Sequence, residues 1–205
     1  ELTCETDFVA KNADFIAVGD KIAETALAKG YTDVQQELSD MVLDLATRVR
    51  ENMGLRRLTA VQAGSDEYIS HYVHSDKKTG VIVVLKSDKS DVFADKAFQE
   101  FAYDCCLHAA AFTPLYVKKE DVDAAYIDEQ LEVFRGQVAE LQKPDNVKEG
   151  IVKGKLNKHL AEICFLEQAF VKDDKLSVAA KMKEVGKQLG ANISLSKLVL
   201  WQLGQ

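Results

Sequence analysis

The apolar residues of the chain fall into helix-like and strand-like segments that follow one another. Two segments near the start have the spacing of amphipathic helices. The apolar positions of the first are Phe15, Ile16, Ala23, Ala26 and Leu27. Those of the second are Leu38, Met41, Val42, Leu45 and Val49. A glycine follows each segment, so the pattern predicts two helices that end near Gly30 and Gly54.

The pattern then changes to the period of β-strands. Three short runs, at 55–61, 68–74 and 81–85, are rich in β-branched and aromatic residues. The polar stretches between them, 64–66 and 76–80, have the composition of hairpin turns. We therefore predict a small antiparallel meander that packs on the preceding helices.

A helix followed by a helical hairpin is predicted next. An apolar stripe over 98–112 precedes Pro114, as expected for a helix that ends there. Two further stripes repeat at four and three residues, which is typical of a coiled-coil seam, and Pro144 separates them. Their members are Ile127, Leu131, Phe134, Val138 and Leu141 in one and Val152, Leu156, His159 and Ile163 in the other. Helices joined by a short turn run antiparallel, so we expect an inserted hairpin at about 118–167.

The chain closes with a predicted helix over 178–189 and an alternating strand over 193–203. The same order of helix and strand occurs at 38–61, so the sequence contains a weak repeat. This organisation predicts an α+β fold with small antiparallel sheets packed on helices. We expect two related subdomains, 1–92 and 93–205, with the hairpin inserted in the second.

Composition and charge argue against several classes of function. The 205 residues are 47% hydrophobic, which is enough for a substantial core. A net charge of −7 argues against a nucleic-acid partner, because binding to phosphates requires a positive field. No apolar stretch is long enough to span a membrane. The four cysteines lack CxxC spacing and are typical of reduced thiols, so we expect a cytoplasmic protein.

One group of candidate ligands or nucleophiles occurs in the helix before Pro114. Cys105 and His108 share a helix face, whereas Cys106 points about 100° away from Cys105. This geometry does not suit tetrahedral metal coordination, and free cysteine is often a small core residue. We expect no metal, no cofactor and no enzymatic activity, with a thiol enzyme centred on these residues as the alternative. We interpret His108 as a half-exposed contact residue.

The opening stretch, ELTCETDFVAKN, places an aromatic residue among polar ones. Phe8 follows Asp7 and precedes Val9, directly before the first predicted helix. Aromatic residues in such surroundings are common anchors of protein interfaces. Alternatively, Phe8 packs on its own core and staples the start of the helix. The lack of catalytic motifs favours a protein that acts through its surfaces.

The same stretch resembles the signature of a known family. CETDFVAKNADF, at 4–15, is similar to the signature of bacterial translation elongation factor Ts proteins. The resemblance continues in the same order over most of the chain. The further matches are ENMGLRRL at 51–58, YVHSDKKTGVIVVL at 72–85, LHAAAFTPLYVKKEDV at 107–122 and KPDNVKEGIVKGKLNKHLAEICFLEQAFVKD at 143–173.

The resemblance implies a guanine nucleotide exchange factor that binds elongation factor Tu and promotes GDP release during translation elongation. It also implies two related α+β subdomains and an inserted coiled-coil hairpin. The implied partner-binding residues are Asp7, Phe8, Val9, Thr79, Gly80, His108, Val171 and Lys172. A helical-hairpin adaptor, or a chaperone-like protein-binding module, is the alternative function.

The resemblance also implies a role for each of these residues. Asp7 and Phe8 engage the GTP-binding domain of the partner, and the aromatic ring wedges between its helices. Thr79 and Gly80 match a hairpin tip. His108 matches the histidine on a helix that faces the partner. The segment 171–172, after the helical hairpin, makes a further contact.

The sequence departs from the pattern of the family at several places. Ser75 and Asp76 replace a usual Gly-Gly, so we expect the following hairpin tip to differ in shape. Ala169 replaces a usual proline, and the last strand lacks an arginine–phenylalanine pattern. The small N-terminal helical domain of full-length members does not precede the signature. Because the first residue is Glu1 rather than methionine, we expect that the chain is a fragment.

Overall fold

The computed structural model describes all residues of the chain, 1–205. The fold is of the mixed α+β class, as predicted, with seven α-helices and three small antiparallel sheets. The chain divides into two compact units, Glu1–Gln62 and Ala63–Gln205. The boundary near residue 92, which was expected between related subdomains, stays a prediction.

The first unit contains three helices and a two-stranded sheet. Its elements are β1 (Leu2–Cys4), α1 (Asp7–Ala10), α2 (Ala13–Lys29), α3 (Gln36–Val49) and β2 (Met53–Leu55). β1 and β2 pair antiparallel, with Cys4 opposite Met53. The core lies between α2 and α3, and its buried members are Ile22, Ala26, Leu38 and Val42.

The structure corrects two details of the predicted first unit. Gly30, in the left-handed conformation with φ 68°, caps the end of α2 where its end was predicted, but α3 is capped by Arg50 and does not extend to Gly54. In α2, Ile16 and Leu27 are exposed, although both were placed on the buried stripe. The apolar pattern of α2 supports more than one stripe, and packing against α3 selects the one that contains Ile22 and Ala26.

The second unit holds the remaining elements. They are β3 (Glu67–Val73), β4 (Thr79–Ser87), α4 (Lys96–Phe112), α5 (Ala124–Val138), α6 (Asp145–Ile163), β5 (Ala169–Phe170), β6 (Asp173–Ser177), α7 (Val178–Leu189) and β7 (Ile193–Gln202). Two short 3₁₀ helices, Ser90–Ala94 and Lys119–Asp121, precede α4 and α5. Its larger core includes Phe98, Phe101, Ala102 and Cys105 of α4, Val81, Val83 and Leu85 of β4, and Val178, Met182 and Val185 of α7.

The three-stranded sheet differs from the predicted meander in one strand. β4 lies in the centre and pairs antiparallel with β3 on one side and β7 on the other. Within the run 55–61 only Leu55 is in a strand, and that strand is β2. The helix of this unit on which β3 and β4 pack is α4, which follows them in sequence.

The helices α5 and α6 pack against each other as an antiparallel pair. Tyr126, near the start of α5, hydrogen-bonds through its hydroxyl to His159 Nε2 near the end of α6, at 2.8 Å. Arg135 Nε, near the end of α5, donates to Glu149 Oε1 near the start of α6, at 3.2 Å. The predicted seam is one position too long, because α5 ends at Val138 and Leu141 is exposed.

Two leucines of α3 provide a matched test of the first core. Leu38 is fully buried and Leu43 is 63% exposed on the same helix. We expect Leu38→Ala to lower the free energy of unfolding by about 2–5 kcal/mol, because it leaves a cavity. Leu43→Ala should change it by less than about 0.5 kcal/mol. Urea unfolding followed by far-UV circular dichroism measures both, and equal effects would contradict the packing of α3.

Candidate functional site

Phe8 has the most exposed side chain among the large apolar residues, with 89% of its surface open to solvent. It lies on α1, next to Asp7, which is also exposed. Val9, by contrast, is buried. The interpretation that Phe8 staples the first helix onto its own core is therefore wrong. The ring is accessible to a partner.

α1 has only four residues, and a single helical turn is unfavourable to form without outside support. Thr6 supplies an N-terminal cap, since its Oγ1 accepts a hydrogen bond from the N–H of Val9 at 3.3 Å. The buried side chain of Val9 attaches the turn to the unit. Asn12 then caps α2 directly afterwards, by accepting from the N–H of Asp14 at 2.8 Å. Phe8 is thus exposed on a turn that Thr6 caps at its start and that Asn12, the cap of α2, follows at its end.

Thr79 and Gly80 lie at the start of β4 and not at the tip of the hairpin. Thr79 pairs with Gln202, and Gly80 pairs with both Val73 and Trp201. The tip is formed by the preceding residues 75–78, and both predicted residues are half-buried. Their predicted position at the tip is wrong because the central strand begins earlier than the turn composition suggested.

His108 is completely buried, so its interpretation as a half-exposed residue is wrong. Its Nδ1 accepts a hydrogen bond from the N–H of Val171 at 3.2 Å, and its Nε2 lies 2.9 Å from Gln168 Oε1. The ring is therefore the neutral tautomer that carries its proton on Nε2 and donates to Gln168. Burial lowers the pKa of His108, and the hydrogen bond to Gln168 opposes this shift.

Gln168 is a buried residue that the sequence analysis missed. Besides accepting from His108, it donates through Nε2 to the carbonyl of Glu162 at 2.8 Å and, more weakly, to that of Phe112 at 3.4 Å. It therefore connects the ends of α4 and α6 with the segment that follows them. A lone glutamine in a mixed sequence carries no pattern that would reveal such a role.

Val171 and Lys172 occupy the turn between β5 and β6, and both are exposed. Val171 is held through its backbone by His108. Lys172 Nζ lies 2.7 Å from Oδ1 of the largely buried Asp104 on α4, and this hydrogen bond raises the pKa of the Lys172 ammonium. The side chain of Val171 therefore faces solvent on a turn that two residues of α4, His108 and Asp104, hold in place.

The cysteines of α4 are packed in the core. Cys105 and Cys106 are fully buried, and burial raises the pKa of both thiols, that of Cys106 to about 11. A thiol enzyme requires an accessible thiolate, so these residues do not form a reactive centre. The structure contains no group of three histidine, cysteine or acidic residues arranged to hold a metal ion. None of its helices combines the length and apolarity that a membrane span requires.

The chain is similar in sequence, over nearly its whole length, to one protein family and to several known proteins. Residues 5–205 match the family described as Elongation factor TS. The chain is 74% identical to elongation factor Ts of Treponema denticola over 204 residues, which are 100% of this chain and 73% of that protein. It is 61% identical to elongation factor Ts of Treponema pallidum over 207 residues, covering 100% of this chain and 71% of that protein. It is 40% identical to elongation factor Ts of Borrelia recurrentis over 206 residues, which cover 99% of this chain and 73% of that protein.

The buried histidine predicts a pH dependence of stability. Unfolded, His108 titrates near its ordinary pKa of about 6.5, and folded it titrates lower. The unfolded chain then binds more protons, so the free energy of unfolding falls as the pH drops below about 6.5. We expect the loss between pH 7.5 and pH 5.5, measured by urea unfolding, to be smaller in His108→Gln than in the original chain. The exposed His71, as His71→Gln, is the control and should leave the loss unchanged. An equal loss in all three chains would contradict the burial of a neutral His108.

Proposed function

The chain belongs to the elongation factor Ts family, and from this premise we propose that the exposed ring of Phe8 opens the nucleotide site of the partner. The function of the chain is guanine nucleotide exchange in translation elongation, and its partner is elongation factor Tu. It is not an enzyme, because it exchanges a bound nucleotide without making or breaking a bond. Its family acts in the cytoplasm, as expected.

The proposed mechanism is conformational capture. Exchange requires that the factor bind the partner more tightly when the nucleotide is absent than when it is present, because only a difference in affinity shifts a population. By thermodynamic reciprocity, the factor then weakens nucleotide binding by the same ratio as the nucleotide weakens binding of the factor. The bound Mg²⁺ and GDP depend on a tightly defined loop and metal shell, so a small displacement lowers their affinity strongly.

Phe8 has the properties that this mechanism needs. Its ring is 89% exposed before binding, so burial between helices of the partner contributes about 1.5–3 kcal/mol. If that contact forms only in the opened conformation, the same energy favours the nucleotide-free state by about 10- to 100-fold. We propose that Asp7 contacts the partner beside the ring, and that the buried Val9 supports the turn beneath it.

We infer a second contact surface on the other unit, formed by the turn at 171–172. The exposure of Val171 and Lys172, and the support of that turn by His108, are the observations in favour. His108 itself is buried in the free chain, so we propose that it acts by holding this turn. Thr79 and Gly80, at the start of the central strand, are proposed to contribute through the neighbouring hairpin tip.

We also propose that the chain consists of two related subdomains, 1–92 and 93–205, with a coiled-coil hairpin inserted at about 118–167. The packing of α5 against α6 supports the hairpin. The order of helix and strand at α3–β2 and again at α7–β7 supports the relation between the subdomains.

Removal of the Phe8 ring is the direct test. We expect Phe8→Ala to slow the release of fluorescent GDP from elongation factor Tu by about 10- to 100-fold at a fixed concentration of the chain, because the wedge is lost. Stability should be unchanged, since the ring makes little contact with its own unit. Stopped-flow fluorescence measures the release.

Leu27→Ala is the matched control, because Leu27 is 81% exposed on the adjacent helix α2. It should leave the rate of GDP release unaffected. Stimulation by Phe8→Ala at the original rate would rule out the wedge role, and no stimulation by the original chain would rule out the proposed function itself.

A further inference from the structure

Thr6, which caps α1, is itself held by a carboxylate from a distant part of the first unit. Glu51 Oε2 accepts from the backbone N–H of Thr6 at 3.2 Å, and Glu51 Oε1 accepts from its hydroxyl at 2.7 Å, although the residues are 45 positions apart. Because the hydroxyl gives its only proton to Glu51, its lone pairs are left to accept from the N–H of Val9. Glu51 therefore orients the cap as well as binding it.

This arrangement replaces a capping box. In a capping box, a glutamate at the third helical position accepts from the N–H of the N-cap residue. The third position of α1 is Val9, whose apolar side chain is buried. A glutamate at that position would give up this burial. Glu51 supplies the missing carboxylate from outside the helix, so α1 keeps both its cap and its buried valine.

The backbone places Glu51 at the right distance from Thr6. β1 and β2 pair with Cys4 opposite Met53, so Thr6 and Glu51 each lie two residues beyond the last pair of the ladder, where their side chains can meet. Arg50 ends α3 in the left-handed conformation, with φ 61°. This turn directs the chain from α3 into β2. Glu51 is thus fixed on both sides by secondary structure.

We propose that Glu51 is a positioning residue that holds α1 in the orientation in which Phe8 enters the partner. This inference rests on the proposed function of Phe8. Without Glu51, the N–H and the hydroxyl of Thr6 lose their partners, and α1 has too few hydrogen bonds of its own to stay ordered. The ring then samples many orientations, of which only a fraction is competent to bind.

A loss of orientation has a different kinetic effect from a loss of the ring. When only a fraction of molecules is competent, the apparent affinity falls by that fraction, while the bound complex is unchanged. Glu51→Ala should therefore raise the half-saturating concentration of the chain in GDP release by about five- to tenfold and keep the maximum rate. Phe8→Ala should lower the maximum rate, because the contact that opens the nucleotide site is absent.

The experiment measures fluorescent GDP release from elongation factor Tu at increasing concentrations of the full chain. The variants are Glu51→Ala, Glu51→Gln, Phe8→Ala and the double variant Glu51→Ala with Phe8→Ala. Glu51→Gln keeps one carbonyl acceptor, so it should recover much of the loss. The double variant should lose less than the product of the two single losses, because Glu51 acts through α1, which carries Phe8. Glu24→Gln, an exposed glutamate of α2, is the control and should behave like the original chain.

Two further measurements separate positioning from stability. Circular dichroism at the assay temperature should show that each variant is folded. Amide hydrogen exchange should be faster at Val9 and Ala10 in Glu51→Ala, and unchanged in the middle of α3. A structural defect alone would accelerate exchange throughout the unit, and would overturn the proposal.

Other outcomes also contradict the role of Glu51. An unchanged half-saturating concentration in Glu51→Ala, or a double variant whose losses multiply, overturns it. Failure of the original chain to release GDP removes the proposed function instead. If the original chain is active and Phe8→Ala is not, the function stands and only the result for Glu51 decides this inference.

Discussion

The two hydrogen bonds that Thr6 donates to the carboxylate of Glu51 are the contact on which the exposed end of the first unit depends. A four-residue helix has only a few backbone hydrogen bonds, too few to be stable by itself, so contacts from outside the helix must keep it ordered. Thr6 caps it, and Glu51 holds Thr6 by charge-assisted bonds, which are among the stronger hydrogen bonds in proteins. The buried side chain of Val9 anchors α1, so the ring of Phe8 stays exposed to solvent and need not pack on its own unit.

In the second unit, an exposed turn is likewise held by polar side chains, but these are buried and uncharged. The turn at 171–172 is held by His108, and His108 is held by Gln168, which also connects the ends of α4 and α6. In both units an exposed apolar residue lies on a short segment that a distant side chain fixes. An apolar side chain that stays exposed for a partner cannot also stabilise its own segment by packing in the core. Polar contacts beneath the surface therefore keep these segments rigid.

Much of this architecture could be predicted from the sequence, because it follows from local spacing. Leu38, Val42 and Leu45 recur at the helical period and are the buried face of α3. The α+β class and the packed pair α5 and α6 were also predicted, since helices and strands differ in the period of their apolar residues. Phe8 was a candidate anchor because an aromatic ring is unusual in so polar a stretch. Local spacing alone could not decide between an anchor and a staple.

The sequence by itself therefore determined the longer helices α2 to α7, the strands β3, β4 and β7, and the family, because local pattern and shared motifs carry that information. Only the tertiary structure decided which strands pair and which side chains are buried. The third strand of the larger sheet is β7, from the end of the chain, which pairs with β4, whereas 55–61 was expected to pair with 68–74; His108, expected to be half-exposed, is fully buried. The contacts of Glu51 with Thr6 and of Gln168 with His108 join residues 45 and 60 positions apart. No local pattern records such contacts, since they exist only once the chain has brought distant segments together.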